Sequence, residues 1–314
     1  MAKLKALLLT EGYHGMISQV EGLAKALGTE FHHKIVRLSW PWNYIPPKFT
    51  PKSEIILKDK KYLSENENCD LVISCGRKSV IPSILLKNKN KNIYTIHIQN
   101  PKVNFNNFDT IVAPDHDGIT GDNIITSKGS IHYLTLEEIN KSRFYLEKNI
   151  EKNKDIITLI LGGPNKYYNY SEENIKNILY RINDYIDKYN LQLIVIPSNR
   201  TPKKIINTIK NIRSNYLIVD KVDKQAYLSS LSLSKYIVVT CDSTSMISEA
   251  ALTGKPIYVA MIPATKNDYR FKKFRDLFKE LNIIRELGDS LEIWDYEKLD
   301  ETNRIAKEIK KKLS

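Results

Sequence analysis

The sequence predicts an α/β protein with doubly wound parallel sheets, arranged as two successive Rossmann-like domains with a cleft between them. Three observations carry this expectation. Short apolar runs alternate with longer amphipathic stretches from end to end, most of the runs lack period-two alternation, and a glycine-bearing turn follows the first run of each half. Uninterrupted apolar runs are what parallel strands covered on both faces require. Their alternation with helical patterns places them in an α/β architecture. A length of 314 residues suits two domains better than one.

In the first half, strands are expected at 4–9, 34–38, 71–74, 93–98, 110–113 and 124–127. In the second they are expected at 156–161, 191–196, 216–219, 236–240 and 256–260. After the first strand, Met16, Val20, Leu23, Ala24 and Leu27 share one helical face, and Gly28 follows as a stop. Residues 147–155 are polar apart from Ile150, so the boundary is placed there, giving domains at 1–150 and 151–314. The last stretch carries Leu299, Ile305, Ile309 and Leu313 on one side and Lys307, Lys310, Lys311 and Lys312 toward water. It reads as a closing helix of the second domain.

Hydrophobic residues make up 42% of the chain and charged residues 27%, as in globular proteins rather than disordered ones. No apolar run approaches the roughly 18 to 20 residues that span a bilayer. The short run after Lys3 is broken by Thr10, Glu11 and Gly12, so it is expected to be a buried strand and not a signal segment. Cys69, Cys75 and Cys241 have no metal-type spacing and read as small buried thiols in a reducing compartment. The formal charge of +12 comes from lysines scattered through a chain also rich in Asn and Ile. That pattern is compositional, and without an aromatic platform or a known motif it points away from nucleic acid.

The most informative segment is Thr240-Cys241-Asp242-Ser243-Thr244-Ser245-Met246, then Ser248-Glu249-Ala250 and Gly254-Lys255-Pro256. A strand ends in a polar turn and a helix begins near Ser243 or Ser245. Free backbone N–H groups and the helix dipole make such a turn an anion site, with Asp242, Ser243, Ser245 and Met246 lining it. One turn on, Glu249 is placed to accept from a ribose diol. Two further loops are expected beside it, because ligands lie beyond the carboxyl ends of such strands. Gly162 and Gly163 offer a bare backbone to a phosphate; Ser198, Arg200 and Thr201 supply a clamp.

In the first domain the turn Glu11-Gly12-Tyr13-His14-Gly15 follows the first strand without the dinucleotide spacing. Glu11 or His14 is the candidate general base for an acceptor hydroxyl, with Gly12 and Gly15 as close-approach positions. Gly76 and Arg77, with Lys78, open another strand-to-helix turn, where cations oppose the dipole and make more sense with an anion nearby. Gln99 ends the next strand toward the cleft. Asp115-His116-Asp117 imitates an Asp-x-Asp metal motif but lies away from the diphosphate turn, so no metal is expected and no cofactor either. The basic–aromatic run from Arg270 to Arg275 offers a surface for a phosphorylated acceptor or anionic lipid, or else a helix with Phe271, Phe274 and Phe278 buried.

The polar turn, Ser-Glu-Ala helix and Gly-Lys-Pro exit resemble the donor half of glycosyltransferases with two facing Rossmann domains. More specifically, several blocks together resemble the mitochondrial fission ("elongated mitochondria") family of glycosyltransferase-like proteins. They are Ser74-Cys75-Gly76-Arg77, Ile98-Gln99-Asn100-Pro101, Ala113-Pro114-Asp115-His116-Asp117, Gly162-Gly163-Pro164, Ser198-Asn199-Arg200-Thr201-Pro202 and Thr240-Cys241-Asp242-Ser243. Ser248-Glu249-Ala250 and Gly254-Lys255-Pro256 complete the set, in family order over nearly the whole chain. Asn100, Asp115 and Cys241 stand where Asp, Glu and Ala are common in the family. The resemblance implies the GT-B-type fold, with the nucleotide ribose on Glu249 and the diphosphate at the 242–245 turn.

The leading expectation is a metal-independent glycosyltransferase moving sugar from a nucleotide-diphosphate sugar to an envelope glycan or lipid acceptor. A nucleotide-sugar epimerase and a non-catalytic, membrane- or division-associated adaptor are the alternatives. The expected place is a bacterial cytoplasm, with peripheral association on an anionic inner membrane.

Overall fold

The computed structural model describes residues 3–59, 61, 68–213 and 215–313. Within it the chain divides into two compact units, residues 1–133 with 300–314, and residues 134–299. The first unit holds β1 (Lys5–Thr10), β2 (Glu30–Ile35), β3 (Leu71–Cys75), β4 (Tyr94–Ile98), β5 (Thr110–Pro114) and β6 (Ile124–Ser127). With them go α1 (His14–Leu27) and α2 (Val80–Lys89). The second unit begins with α3 (Leu136–Lys141) and α4 (Phe144–Glu147). Its strands are β7 (Asp155–Leu161), β8 (Leu191–Pro197), β9 (Leu217–Ile218), β10 (Tyr236–Thr240), β11 (Ile257–Ala260) and β12 (Ile284–Glu286). Its other helices are α5 (Glu172–Tyr189), α6 (Lys203–Lys210), α7 (Lys224–Leu233), α8 (Thr244–Ala251) and α9 (Tyr269–Glu280). The last helix, α10 (Glu301–Leu313), returns to the first unit.

Each unit has one six-stranded sheet, ordered β2-β1-β3-β4-β5-β6 and β12-β11-β10-β7-β8-β9, and every described pairing within them is parallel. The expected doubly wound α/β class is therefore present twice. In the first sheet the chain reverses its direction of travel between β1 and β3; in the second it does so between β7 and β10. Loops leaving the carboxyl ends of strands diverge at such a switch point and leave room for a ligand.

Burial explains why the runs became strands. Residues 71–75, 191–197 and 236–240 are buried throughout, as central strands covered on both faces must be. Edge strands are less legible. β2 runs over Glu30–Ile35 instead of 34–38, with a mixed exposed and half-buried pattern, because its ladder to β1 pairs Lys5 with Glu30 and Thr10 with Ile35. The apolar Val36 and Leu38 beyond it enter the core as loop residues. The three-residue edge strand β12 has no counterpart among the expected strands.

The division between units also differs from 1–150 and 151–314. Residues 134–150 join the second unit because α4 docks on α7, where the Leu146 N–H donates to Ser229 Oγ at 3.1 Å. The closing helix belongs to the first unit. Ile305, Ala306 and Ile309 of α10 pack among Val20, Leu23, Ala24 and Leu27 of α1. Buried Glu301 accepts from the Lys128 N–H at 2.7 Å, and Thr302 Oγ1 exchanges hydrogen bonds with the His132 backbone.

The three cysteines are buried, and burial pushes the Cys69 and Cys241 thiols up to about 11. Among the described residues no helix is long and apolar enough to cross a membrane.

Candidate functional site

In the second unit the loops after β7, β8 and β10 adjoin because those three strands are neighbours in the sheet. Asp242, on the loop after β10, is the hub that joins them. Its side chain is fully buried, and Oδ2 accepts from the Gly163 N–H at 3.0 Å and from Arg200 Nη2 at 2.8 Å. Its Oδ1 lies within hydrogen-bond distance of the Tyr170 hydroxyl, whose single proton serves either Asp242 or Thr240 Oγ1 at 2.6 Å. The Gly162 N–H meets Thr240 Oγ1 at 2.9 Å, and Arg200 Nη1 donates to the Gly163 carbonyl at 2.7 Å. Ser198 Oγ and Thr201 Oγ1 both donate to the Gly162 carbonyl.

This network explains the two glycines. A Cβ on Gly162 would stand 2.1 Å from Asp242 Oδ2, and one on Gly163 would stand 2.2 Å from the Arg200 carbonyl oxygen. Neither glycine has a positive φ, so the requirement is close approach and not turn geometry. The sequence expects Gly162, Gly163, Ser198, Arg200, Thr201 and Asp242 to meet a ligand. The structure brings all six together, largely through contacts with one another. Arg200 keeps 41% of its side chain exposed while bracing Asp242, so part of its guanidinium still faces water.

The helix beyond this hub starts as expected. Ser243, in extended conformation, caps α8 by accepting from the Met246 N–H at 3.4 Å, while Thr244, Ser245 and Met246 are half-buried in its first turn. The leading N–H groups of a helix have no partner within it and carry the positive end of the dipole. Glu249 follows one turn later, partly exposed, with Oε2 accepting from the Tyr227 hydroxyl of α7 at 2.7 Å. Desolvation by the packed surroundings pushes its pKa up to about 7, against the lowering effect of the tyrosine. Lys255 serves the fold: its ammonium donates to the Leu231 and Ser232 carbonyls at the end of α7, and burial lowers its pKa to about 8. Gly254 takes φ +73° before it.

In the first unit, the predicted residues line the carboxyl ends of β1, β3 and β4, which are adjacent in the sheet. Gly12 and Gly76 have φ of +89° and +94°, conformations suited to glycine. A Cβ on Gly76 would lie 2.7 Å from Met16 Sδ and 3.1 Å from Glu11 Oε1. Glu11 accepts from the Lys78 N–H at 3.1 Å, with the Lys78 ammonium 3.6 Å from its other oxygen. Arg77 donates to the carbonyls of Ile45, at 2.7 Å, and Asn43. The cations that oppose the helix dipole here thus have partners inside the chain: a carboxylate for Lys78 and a loop backbone for Arg77. His14 is exposed in the first turn of α1, 3.3 Å from the Tyr133 hydroxyl, and Gly15 beside it faces open space. Gln99 closes β4 with φ +85°, an uncommon conformation for a side-chain-bearing residue, its N–H donating to the Val112 carbonyl at 2.7 Å.

Asp115, His116 and Asp117 form a short 3₁₀ turn after β5. Among the described residues no group of three His, Cys, Asp or Glu side chains is arranged to hold a metal ion. The run from Arg270 to Arg275 lies on α9 and meets its core reading in part: Phe271 is only half-buried, and Arg270, Lys272 and Lys273 are exposed. Phe274 and Phe278 are fully buried, and Arg275 turns inward to pair with Asp268 at 3.0 Å and with the Tyr168 hydroxyl. Tyr170 and Tyr227, which complete the Asp242 hub and the Glu249 contact, were not anticipated. Each reaches its partner from another element, and no local spacing marks either.

The fold defined here is the GT-B-type fold. Across 99% of its length the chain superposes on a UDP-GlcNAc 2-epimerase from Methanocaldococcus jannaschii, covering all of that chain with a TM-score of 0.56 at 18% identity. A UDP-GlcNAc 2-epimerase from Neisseria meningitidis bound to UDP-GlcNAc gives a TM-score of 0.55 at 14% identity, with 99% of both chains covered. The sequence matches the family described as Mitochondrial fission ELM1 over residues 14–313, and the protein belongs to that family. Among curated relatives, the mitochondrial fission protein ELM1 of Arabidopsis thaliana is 23% identical, covering 99% of this chain and 91% of that protein. The uncharacterized protein RP120 of Rickettsia prowazekii is 27% identical over 77% of this chain and 79% of that protein.

Proposed function

We propose that the second unit binds a nucleotide-diphosphate sugar and that the protein transfers its sugar to a glycan or lipid acceptor. The observation that carries this reading is the arrangement at the β7/β10 switch point. There a preorganised loop set stands beside the first turn of α8, with a single carboxylate, Glu249, one turn further in. Because Asp242 is buried and paired, its charge is matched within the protein and does not repel a diphosphate at the α8 N-terminus. The exposed part of Arg200 would face the same anion. Glu249 has one oxygen held by Tyr227, which leaves the other for the ribose hydroxyls. In transfer, the bond from the anomeric carbon to the diphosphate oxygen breaks and one to the acceptor oxygen forms. The acceptor proton passes to a general base. The departing charge is met by the α8 dipole and cations, the electrostatic strategy that dominates such chemistry.

The likeness to UDP-GlcNAc 2-epimerases supports a second reading, isomerisation of the sugar nucleotide in the same pocket. A thermal-shift titration with UDP, ADP, GDP, CMP and their sugar conjugates tests the shared part. A ligand at about 100 times its Kd adds roughly 2.7 kcal/mol. Stabilisation by one nucleotide, with affinity at least about tenfold weaker in Glu249→Ala, is the expected result. No shift with any of them would overturn both enzymatic readings in favour of a non-catalytic adaptor. Conversion of the bound sugar nucleotide without acceptor would favour isomerisation.

A further inference from the structure

Large exposed hydrophobic side chains are concentrated in one stretch of the first unit. Ile35, Trp40, Tyr44, Phe49 and Ile55 all lie between positions 35 and 55, with Trp40 and Tyr44 each 81% exposed and Phe49 70% exposed. The stretch is held firmly. Leu38 bridges to Leu57, the Ser39 N–H donates to the Ile56 carbonyl at 2.8 Å, and Asn43 Nδ2 donates to the Leu38 carbonyl at 2.7 Å. Arg77 ties the Asn43 and Ile45 carbonyls to the turn after β3, and Thr50 Oγ1 donates to the Pro46 carbonyl at 3.1 Å. Val36, Leu38, Ile56 and Leu57 are buried with Leu7, Leu9 and Val72 and Trp42 packs against that cluster, so the segment is anchored in the core of the first unit. Its outward aromatics are therefore presented to solvent by a fixed scaffold, which marks a surface for association.

The charges around these rings select the partner. Arg37, Lys48, Lys52 and Lys58 are exposed along the same stretch, and the Lys48 ammonium stands 5.9 Å over the Phe49 ring. The acids between 37 and 59 are Glu54 and Asp59, so four cations against two anions leave a net charge of +2. Glu54 is already paired with Lys89 at 2.8 Å, and Asp59 accepts the Lys61 N–H at 3.0 Å. Projecting Trp and Tyr rings with apolar bodies and polar tips, set among lysines, suit the water–lipid boundary of an anionic bilayer. We propose that the 40–55 loop docks the protein peripherally on an anionic lipid surface. Trp40, Tyr44 and Phe49 enter the headgroup layer while Lys48, Lys52 and Lys58 meet lipid phosphates. This does not depend on the nucleotide reading, and it assigns the contact to the 40–55 loop and not to the Arg270–Arg275 run.

Vesicle flotation of the full chain tests the proposal, using phosphatidylcholine alone and phosphatidylcholine with about one third phosphatidylglycerol. The wild type is expected to float with the anionic vesicles only. Trp40→Ala/Tyr44→Ala/Phe49→Ala weakens partitioning by at least about tenfold. Lys48→Glu/Lys52→Glu weakens it by at least about twentyfold. Arg270→Glu/Lys273→Glu leaves it unchanged. The substituted side chains are exposed, so unchanged melting temperatures certify folding. Wild type that stays off anionic vesicles, or a triple variant that binds them as well as wild type, overturns the proposal. So does self-association that disappears in the triple variant, since a second copy would then be the occupant.

Discussion

Glu249 links the stability of the second unit to the chemistry proposed for it, and Glu249→Gln separates the two. In the folded protein its pKa rises from an ordinary 4.5 to about 7, chiefly through desolvation. For an acid whose folded pKa is raised, the folded state holds the proton more tightly than the unfolded one. Stability is therefore lost as pH climbs from the unfolded to the folded value, and above that the penalty is constant. Each pH unit between the two values is worth about 1.4 kcal/mol, so the full penalty is about 3 kcal/mol, trimmed to about 2–3 by solvent at the exposed part. Gln is nearly isosteric and never ionises, so it carries no such penalty. All other titrations are common to both proteins and cancel in the difference. Thermal unfolding between pH 5 and pH 8 should show melting temperatures close together at pH 5. By pH 8 the variant should be ahead by several degrees, at about 2–4 °C per kcal/mol for a unit of this size. The same variant at pH 8 should bind nucleotide at least about tenfold more weakly, because the amide keeps one acceptor oxygen, which Tyr227 occupies, and turns an uncharged NH2 donor to the ribose. A gap that stays constant across the pH range would refute the desolvated-carboxylate account, whatever happens to binding.

Two other outcomes follow from the same geometry. Asp242→Ala leaves the Gly163 N–H buried without its acceptor, at about 1–3 kcal/mol, while the Tyr170 hydroxyl keeps Thr240 Oγ1 and the half-exposed Arg200 adds little. Calorimetry should record a loss of about 1–3 kcal/mol, with nucleotide-induced stabilisation also diminished. Tyr227→Phe removes the hydrogen bond that holds the Glu249 pKa down, so the pH at which nucleotide binding strengthens should move upward from about 7. A titration of affinity against pH that is unmoved in this variant would show that Tyr227 does not tune the carboxylate.

The strand pattern was legible because parallel sheets bury both faces. Runs such as 191–197 and 236–240 are apolar without interruption and need no tertiary information to be seen. Where that condition fails, legibility fails with it. β2 is an edge strand in which charged and histidine residues outnumber the apolar Phe31 and Ile35, and its register is fixed by β1 and not by an apolar run of its own. The closing helix shows the same limit at the level of domains. The apolar stripe of α10 announces that it will be covered, but the covering surface is the Val20–Leu27 face of α1, far away in sequence. Chain order alone assigns it to the wrong unit.

At the candidate site, the sequence located the turns but could not show what their charged residues face. Arg77 and Arg200 both follow a strand, and both read as anion clamps. In the structure each first satisfies backbone carbonyls, of Asn43 and Ile45 for one and of Gly163 for the other. A guanidinium has several N–H donors in a fixed fork, so bracing a loop and contacting a ligand are not exclusive. What separates the two arginines is what else they hold. Arg77 fixes the loop that carries the exposed aromatics, whereas Arg200 joins Asp242 and the Gly163 carbonyl beside the first turn of α8. The second arrangement fixes three loops before any ligand arrives, so less ordering remains to be done on binding. The buried Asp242 that sequence reading places against a diphosphate thus holds its neighbours still, and in the proposed binding mode the anion is left to the helix N-terminus.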